Sequence, residues 1–445
     1  MNRLPGLAWC IAFRRNGAPH AATTKSKSIN MNLPRKLTAS LSLLGVLSIM
    51  AQPLRAQATH TSQDWAQSSG YSDEGNSLRD YLVRLRSSLY LAKDNPELAQ
   101  PVKFSANVTA ESRAGVRHLR IRNFQYLSDG PRASGEFNLG AGSWPSLVGV
   151  LGSAVAEEYL TQAAVKGIPL DELEVIFTST PGTAPSTSTG TQVTYPRNLA
   201  YIAYIVSPAS DAELEDLRQT VERTSPVIHL VTQHQEGLVA HGQLVYTQTP
   251  AKREGKTLEG LREYLLEKHA AAAGAVPAEG VAPKVARDTG EPPLRADIKV
   301  EGDTGIRNVR TDVGNFQFIH DNPRFLAGHN LGPVAEEHLI GVMITCLTHI
   351  YEIQASQRGL AIDTLRLENE AILSPRLGSI GNPPRYRSIN YKVIIGSPET
   401  KEAIEQLQKA VESICPVYNL LKDAQPIKGT IVRGPFKEKA RVAGN

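Results

Sequence analysis

Two thiols, Cys346 and Cys415, are the residues of this 445-residue chain best suited to chemistry. Two thiols can close a structural disulfide, hold a metal, or cycle between thiol and disulfide. Cys346 lies on the stripe Leu339, Val342, Cys346, Ile350, Ile353, whose spacing predicts the core face of a helix. Burial there raises a thiol pKa and makes the sulfur inert. Cys415 precedes Pro416 and is expected at the N-cap of a short helix. Unpaired N–H groups and the helix dipole favour a thiolate at that place.

Two acids, Glu336 and Glu337, follow Gly332-Pro333 at the start of the Cys346 helix. A carboxylate alone suppresses a thiolate. It helps by holding an arginine over the sulfur, where the guanidinium stabilises S⁻ and polarises a peroxide oxygen. Arg117 in Gly115-Val116-Arg117 and Arg307 in Gly305-Ile306-Arg307 are the candidates. A Cys₂His₂ metal set drawn from Cys346, Cys415, His338 and His349 matches no zinc spacing well.

These residues sit in a sequence that is written twice. Asn123-Phe124-Gln125-Tyr126 recurs as Asn315-Phe316-Gln317-Phe318, and Asn138-Leu139-Gly140 as Asn330-Leu331-Gly332. Gly149, Gly167 and Asp171 recur as Gly341, Gly359 and Asp363, all 192 positions on. The copies differ at the reactive positions. The first has Ala154, Ser225, Trp144 and Pro145 where the second has Cys346, Cys415, Glu336 and Glu337. Thiols and acids are present together or absent together, which points to joint action in the second copy. The first copy is expected to serve as scaffold.

The elements that must position these residues follow from periodicity. Leu78, Tyr81, Leu82, Leu85 and Leu89 predict a leading helix, which returns around Leu258, Leu261, Leu265 and Leu266. Strand-like runs cover 116–126 and 298–319. A long helix over 336–358 ends at Gly359 as C-cap. Strands follow over 364–370 and 388–395, and Ser397-Pro398-Glu399 is expected to start another helix. This order gives an α+β fold. The expected boundaries are a leader over 1–58, a disordered start with leading helix over 59–102, and a first domain over 103–250. A helix and linker cover 251–297, a second domain 298–433, and a tail 434–445.

The formal net charge of +4 comes without a dense basic run, which argues against a nucleic-acid partner. Arg35-Lys36, the apolar run 37–50 and Ala56-Gln57-Ala58 read as an export signal that also removes Cys10. The expected location is periplasmic or extracellular. No later segment is expected to span a membrane.

The second copy resembles the OsmC/Ohr family of thiol-dependent hydroperoxide reductases. The resemblance rests on Leu331-Gly332-Pro333 leading to Glu336-Glu337, on Gly341 to His349 around Cys346, on Gly359 with Asp363, and on Cys415-Pro416-Val417. It implies two tandem OsmC-like domains, each a sheet wrapped around two central helices, interlocked as a pseudo-dimer within a monomeric chain. It implies a peroxidatic Cys346, a resolving Cys415 and an acid at Glu336 or Glu337. The arginine is expected to be Arg307, with Arg117 as the cross-repeat alternative. The implied substrate is an organic hydroperoxide and the partner a dithiol or thioredoxin-like reductant, with no metal or organic cofactor. The rival expectation is a non-catalytic, exported, disulfide-stabilised OsmC-like binding module.

Overall fold

The computed structural model describes residues 77–111, 116–130, 136–186, 190, 192–251, 260–266, 268, 293–376 and 380–437. The expected leader over 1–58, the polar start over 59–76 and most of the 251–297 linker lie outside the described residues. The leading helix α1 (Leu78–Asp94) starts as its sequence dictates. Ser77 Oγ accepts from the Asp80 N–H at 3.3 Å, and the Asp80 carboxylate accepts from the Ser77 N–H at 3.1 Å. This reciprocal cap satisfies two otherwise orphaned donors. The helix buries Leu78, Tyr81, Leu82, Leu85 and Leu89, the predicted stripe.

The first round then runs β1 (Val102–Ala110), β2 (Arg117–Ile121), β3 (Phe124–Ser128), α2 (Ser143–Lys166), β4 (Glu172–Pro185) and β5 (Gln192–Val206). It closes with α3 (Asp211–Thr224), α4 (Pro226–Thr232) and β6 (Gln243–Gln248). The second round repeats the order. It has β7 (Leu294–Val300), β8 (Arg307–Thr311), β9 (Gln317–His320), α5 (Ala335–Arg358), β10 (Thr364–Leu373) and β11 (Tyr386–Ser397). Then come α6 (Lys401–Ile414), α7 (Pro416–Leu420) and β12 (Ile427–Arg433). The chain is α+β, with two six-stranded sheets.

Neither copy owns a sheet. One sheet has the order β3-β2-β1-β10-β11-β6 and the other β9-β8-β7-β4-β5-β12. β1 pairs antiparallel with β10 of the other copy, from Val102 opposite Leu373 to Thr109 opposite Arg366. β4 pairs in the same way with β7, and β6 and β12 add in parallel to β11 and β5. Each three-stranded β-meander therefore lies across the central helix of the other copy: β1 and β2 pack on α5, and β7 and β8 on α2.

The two central helices α2 and α5 pack against each other in the core. From Ala335 to Thr348 every residue of α5 is buried, so the expected one-sided stripe is in fact a helix enclosed all round. By length and composition α5 could also cross a membrane, contrary to expectation, but 78% of its most apolar window is buried inside the protein. Gly149 and Gly341 mark the places where each helix meets the opposite meander. A Cβ at Gly149 would lie 2.6 Å from Val309 Cγ1, and one at Gly341 3.1 Å from Leu119 Cδ1. Small residues there allow the close approach. The long helix ends at Gly359 with φ 64°, as expected of a left-handed C-cap. One boundary differs. Ser397 is the last residue of β11 and donates to the Ala361 carbonyl at 2.5 Å. Thr400 caps α6 instead, accepting from the Ala403 N–H at 3.2 Å.

A chain cut to residues 293–445 would keep β7–β9 without β4 and β10–β11 without β1. We expect such a fragment to be unfolded or oligomeric, and co-expression with residues 59–260 to restore a soluble one-to-one complex. Size-exclusion chromatography with light scattering and circular dichroism reads the result; a folded monomeric fragment would contradict the exchange of strands.

Candidate active site

The helical positions of the two cysteines bring their sulfurs together. Cys346 sits in the middle of α5, and Cys415 is the N-cap of α7 with Pro416 as the first helical residue. Both are free thiols. The Cys415 thiol donates to Cys346 Sγ at 3.4 Å. Cys415 is fully buried, while Cys346 keeps 5% of its surface exposed. Both cysteines are thus buried, Cys415 the more completely.

The ionisation order is the reverse of what burial of Cys346 and the helix N-terminus at Cys415 predicted by themselves. The hydrogen bond from Cys415 lowers the Cys346 pKa, opposed by burial and helped by the Val417 N–H and the charge of Arg117. Burial pushes the Cys415 thiol well up, and its bond to Cys346 pushes it further. The N-terminus of α7 was expected to ionise Cys415. Its Val417 N–H instead serves Cys346 as well, and donation fixes Cys415 as the protonated partner. A thiolate stabilised by a neighbouring thiol and a guanidinium is the nucleophilic form of cysteine.

The arginine whose charge acts on Cys346 is Arg117, the cross-repeat alternative. Alternation along β2 turns Arg117, Leu119 and Ile121 inward, and the swapped meander places that face on α5. Arg117 Nη1 donates to Glu352 at 2.8 Å and to Glu136 at 3.0 Å, all three side chains being fully buried. Glu136 also lies 3.6 Å from Lys268 Nζ and 3.1 Å from His349 Nε2. Burial works against the Glu136 carboxylate, but His349 and the Arg117 and Lys268 charges hold its pKa down to about 2. Burial dominates at Glu352 and raises it to about 7, against the pull of Arg117 and Lys268. Burial and Arg117 hold His349 below its ordinary value, so the ring is neutral at physiological pH.

Arg307, Glu336 and Glu337 belong elsewhere. Arg307, the expected activator, reaches over α2 to Glu157 at 3.4 Å and to Asn322 at 3.1 Å. Arg376 bridges Glu157 and Glu336. This is the matching centre of the first copy, where Ala154 replaces the thiol. Glu337 instead bonds the Arg122 Nε–H at 2.9 Å. The physical reason is the strand exchange: a meander serves the other copy's helix, so Arg307 goes to the centre without sulfur. Glu336 also precedes Cys346 by about 15 Å along the helix axis. The sequence expectation thus merged residues of two centres. Cys346, Cys415 and Arg117 come together; Arg307, Glu336 and Glu337 do not join them.

Glu352, Glu136 and Lys268 were missed. Glu352 had a signal, since an acid inside an otherwise apolar helix needs a buried partner. Glu136 had none, because its counterpart in the second copy is Gly328. The weighed metal set is not assembled either. His338 Nδ1 is bonded to His320 Nε2 at 2.9 Å, and among the described residues no group of His, Cys, Asp or Glu is placed to hold a metal.

Comparison with known proteins now bears on this geometry. Residues 328–429, which contain both cysteines, match the family model described as OsmC-like protein. The match excludes Arg117 and the first copy, whose kinship rests on the paired residues and on the repeated order of elements. A solved structure described as an OsmC like protein from Mycoplasma pneumoniae is similar at 20% identity over 26% of this chain and 77% of that chain, with a TM-score of 0.22. A score that low says nothing about how the two copies are arranged. No curated protein matches the chain.

Two outcomes follow from this electrostatics. Arg117→Met should slow alkylation of Cys346 by iodoacetamide near neutral pH about tenfold, and should cost on the order of 3–5 kcal/mol because Glu136 and Glu352 lose their partner. Arg307→Met should leave the alkylation rate unchanged. Equal rates for wild type and Arg117→Met would remove Arg117 from the site. The second outcome concerns Glu352, raised from 4.5 to about 7. Between those values the folded chain keeps a proton that the unfolded chain has lost. Its contribution is therefore present at low pH and falls as pH rises through about 7, by roughly 3 kcal/mol. Denaturant unfolding at pH 4.5 and 8, compared between wild type and Glu352→Gln, isolates this slope, since His349 and Glu136 titrate in both proteins. A wild-type slope no steeper than that of the variant would contradict the raised value.

Proposed function

We propose that the chain is a thiol-dependent peroxidase that reduces organic hydroperoxides. The observation carrying this reading is the pair of free, buried thiols 3.4 Å apart, with Cys346 favoured as thiolate and Cys415 held protonated. Two sulfurs joined only for stability have no use for a buried guanidinium whose charge favours the Cys346 thiolate. The similarity of residues 328–429 to OsmC-like proteins supports the same reading.

The chemistry is as follows. The Cys346 thiolate attacks the distal oxygen of ROOH, the O–O bond breaks, and the alkoxide takes a proton to leave as alcohol. Cys346 becomes a sulfenic acid. Cys415 Sγ then attacks the sulfenic sulfur, an S–S bond forms, and hydroxide leaves as water with the Cys415 proton. The sulfurs must approach by about 1.4 Å to reach disulfide distance. An external dithiol or thioredoxin-like protein returns two electrons and two protons. Arg117 supports the thiolate and the charge that develops on the peroxide oxygens. The apolar setting of Cys346 favours lipid-like or aryl hydroperoxides over hydrogen peroxide. We further propose that the protein is exported, from its leader sequence, and that it acts as a monomer because the two copies supply both halves of the site.

Reduced protein mixed with cumene hydroperoxide should lose two thiols per peroxide consumed. Cys415→Ser should accumulate a sulfenic acid at Cys346, trapped by dimedone, and Cys346→Ser should lose neither thiol nor peroxide. Unchanged thiol counts in wild type would instead favour a non-catalytic binding module.

A further inference from the structure

A different feature lies where matching residues of the two copies meet. β3 and β9 are edge strands of the two sheets, and their Tyr126 and Phe318 rings approach with centroids 6.3 Å apart. Between them and the central helices is a cavity of about 240 Å³, with Leu119, Tyr126, Phe318, His338 and Val342 in its walls. A second hollow of about 370 Å³ also has Gln125, Tyr126, Gln317 and Phe318 in its walls. Neither cysteine lines this cleft, nor do Arg117, Glu136 or Glu352. Exposed Leu127 and Leu139 also line the cavity.

We propose that this cleft binds a neutral, ring-sized apolar molecule through one acceptor oxygen, which receives the Nε2–H of His338. The direction of that hydrogen bond follows from a buried chain. Ser153 Oγ is 2.7 Å from His320 Nδ1, and His320 Nε2 is 2.9 Å from His338 Nδ1. Ser153 and His320 are fully buried and His338 is 2% exposed. His320 Nδ1 is the one hydrogen-bond partner of the Ser153 hydroxyl among the described residues, so the hydroxyl donates there rather than leave its proton unpaired. His320 then carries its proton on Nε2 and donates to His338 Nδ1. His338 is left with its proton on Nε2, the one ring nitrogen open to a ligand.

The chain exists in one orientation only. The counterparts of His320 and His338 in the first copy are Ser128 and Ser146, so the histidines break the internal symmetry. The walls define the ligand. No lining residue is charged, and burial keeps both imidazoles neutral, so an ion finds no counter-charge. The His338 ring stacks on Tyr126 at 4.7 Å and meets Phe318 edge-on at 5.1 Å, which leaves aromatic surface for a flat ring. A cavity of about 150 Å³ takes one benzene, so by size this one accommodates a ring with a short substituent, against walls that also carry Gln125, Gln317 and Thr345. Recognition here does not depend on the thiols and stands apart from the peroxidase reading.

The probes are acetophenone and ethylbenzene, alike in shape and differing in the acceptor oxygen. With the full chain, long-range ¹H–¹⁵N spectra of the histidines should show His338 as the Nε2–H tautomer. Acetophenone should move that signal and bind about tenfold tighter than ethylbenzene. His338→Phe should erase the preference, and Leu139→Arg, an exposed change at the cleft, should weaken both ligands without loss of Tm. The Cys346→Ser protein should bind acetophenone as wild type does. The proposal is overturned if His338 carries its proton on Nδ1, if acetophenone leaves the histidine signals unmoved, or if the preference survives in His338→Phe.

Discussion

The antiparallel pairings of β1 with β10 and of β4 with β7 are the interaction on which everything else depends. Each joins strands from different copies into the middle of a sheet. A central strand buries its hydrogen bonds and both its neighbours, so it cannot be withdrawn without opening the core. The two copies are thereby locked into one cooperative body. The same pairings carry each β-meander over the opposite central helix, and this decides which arginine meets which thiol.

The buried charges are the second consequence. Arg117 and Arg307 are both fully buried, and each is matched by acids from the other copy's helix: Glu352 for Arg117, Glu157 for Arg307. Burying a guanidinium costs several kcal/mol unless it is paired and hydrogen-bonded. The carboxylates meet that cost in both centres. In the centre that has sulfur, the raised Glu352 and the lowered Glu136 split into an easily protonated acid and a permanently charged one. In the centre without sulfur the same architecture persists as a closed ion network of Arg307, Glu157, Arg376 and Glu336.

The sulfur pair shows how local and global forces divide. Burial acts on both thiols and would silence both. One hydrogen bond, from Cys415 to Cys346, breaks the tie and assigns their ionisation. The N-terminus of α7 acts on both atoms at once and so does not separate them. Burial adds only a small asymmetry of its own, since both thiols are buried and Cys415 the more completely.

Much of the molecule was legible in the chain alone. The duplication, the leading helix, the long helix ending at Gly359 and the short helix opened by Cys415-Pro416 all follow from local spacing and capping chemistry. The pairing of Cys346 with Cys415 was implied only by the resemblance to the OsmC/Ohr family, since spacing alone does not bring two sulfurs within bonding distance. What the sequence could not state is which copy's strand lies beside which helix, since that is set by long-range pairing with no local signature. For that reason Arg307 looked equivalent to Arg117, the Glu336–Glu337 pair seemed to serve the nearby thiol, and Glu136 passed unnoticed. Tertiary structure alone decided that a guanidinium from the first copy serves the sulfur of the second, because hydrogen bonding between strands, not proximity in sequence, determines which groups share a buried space.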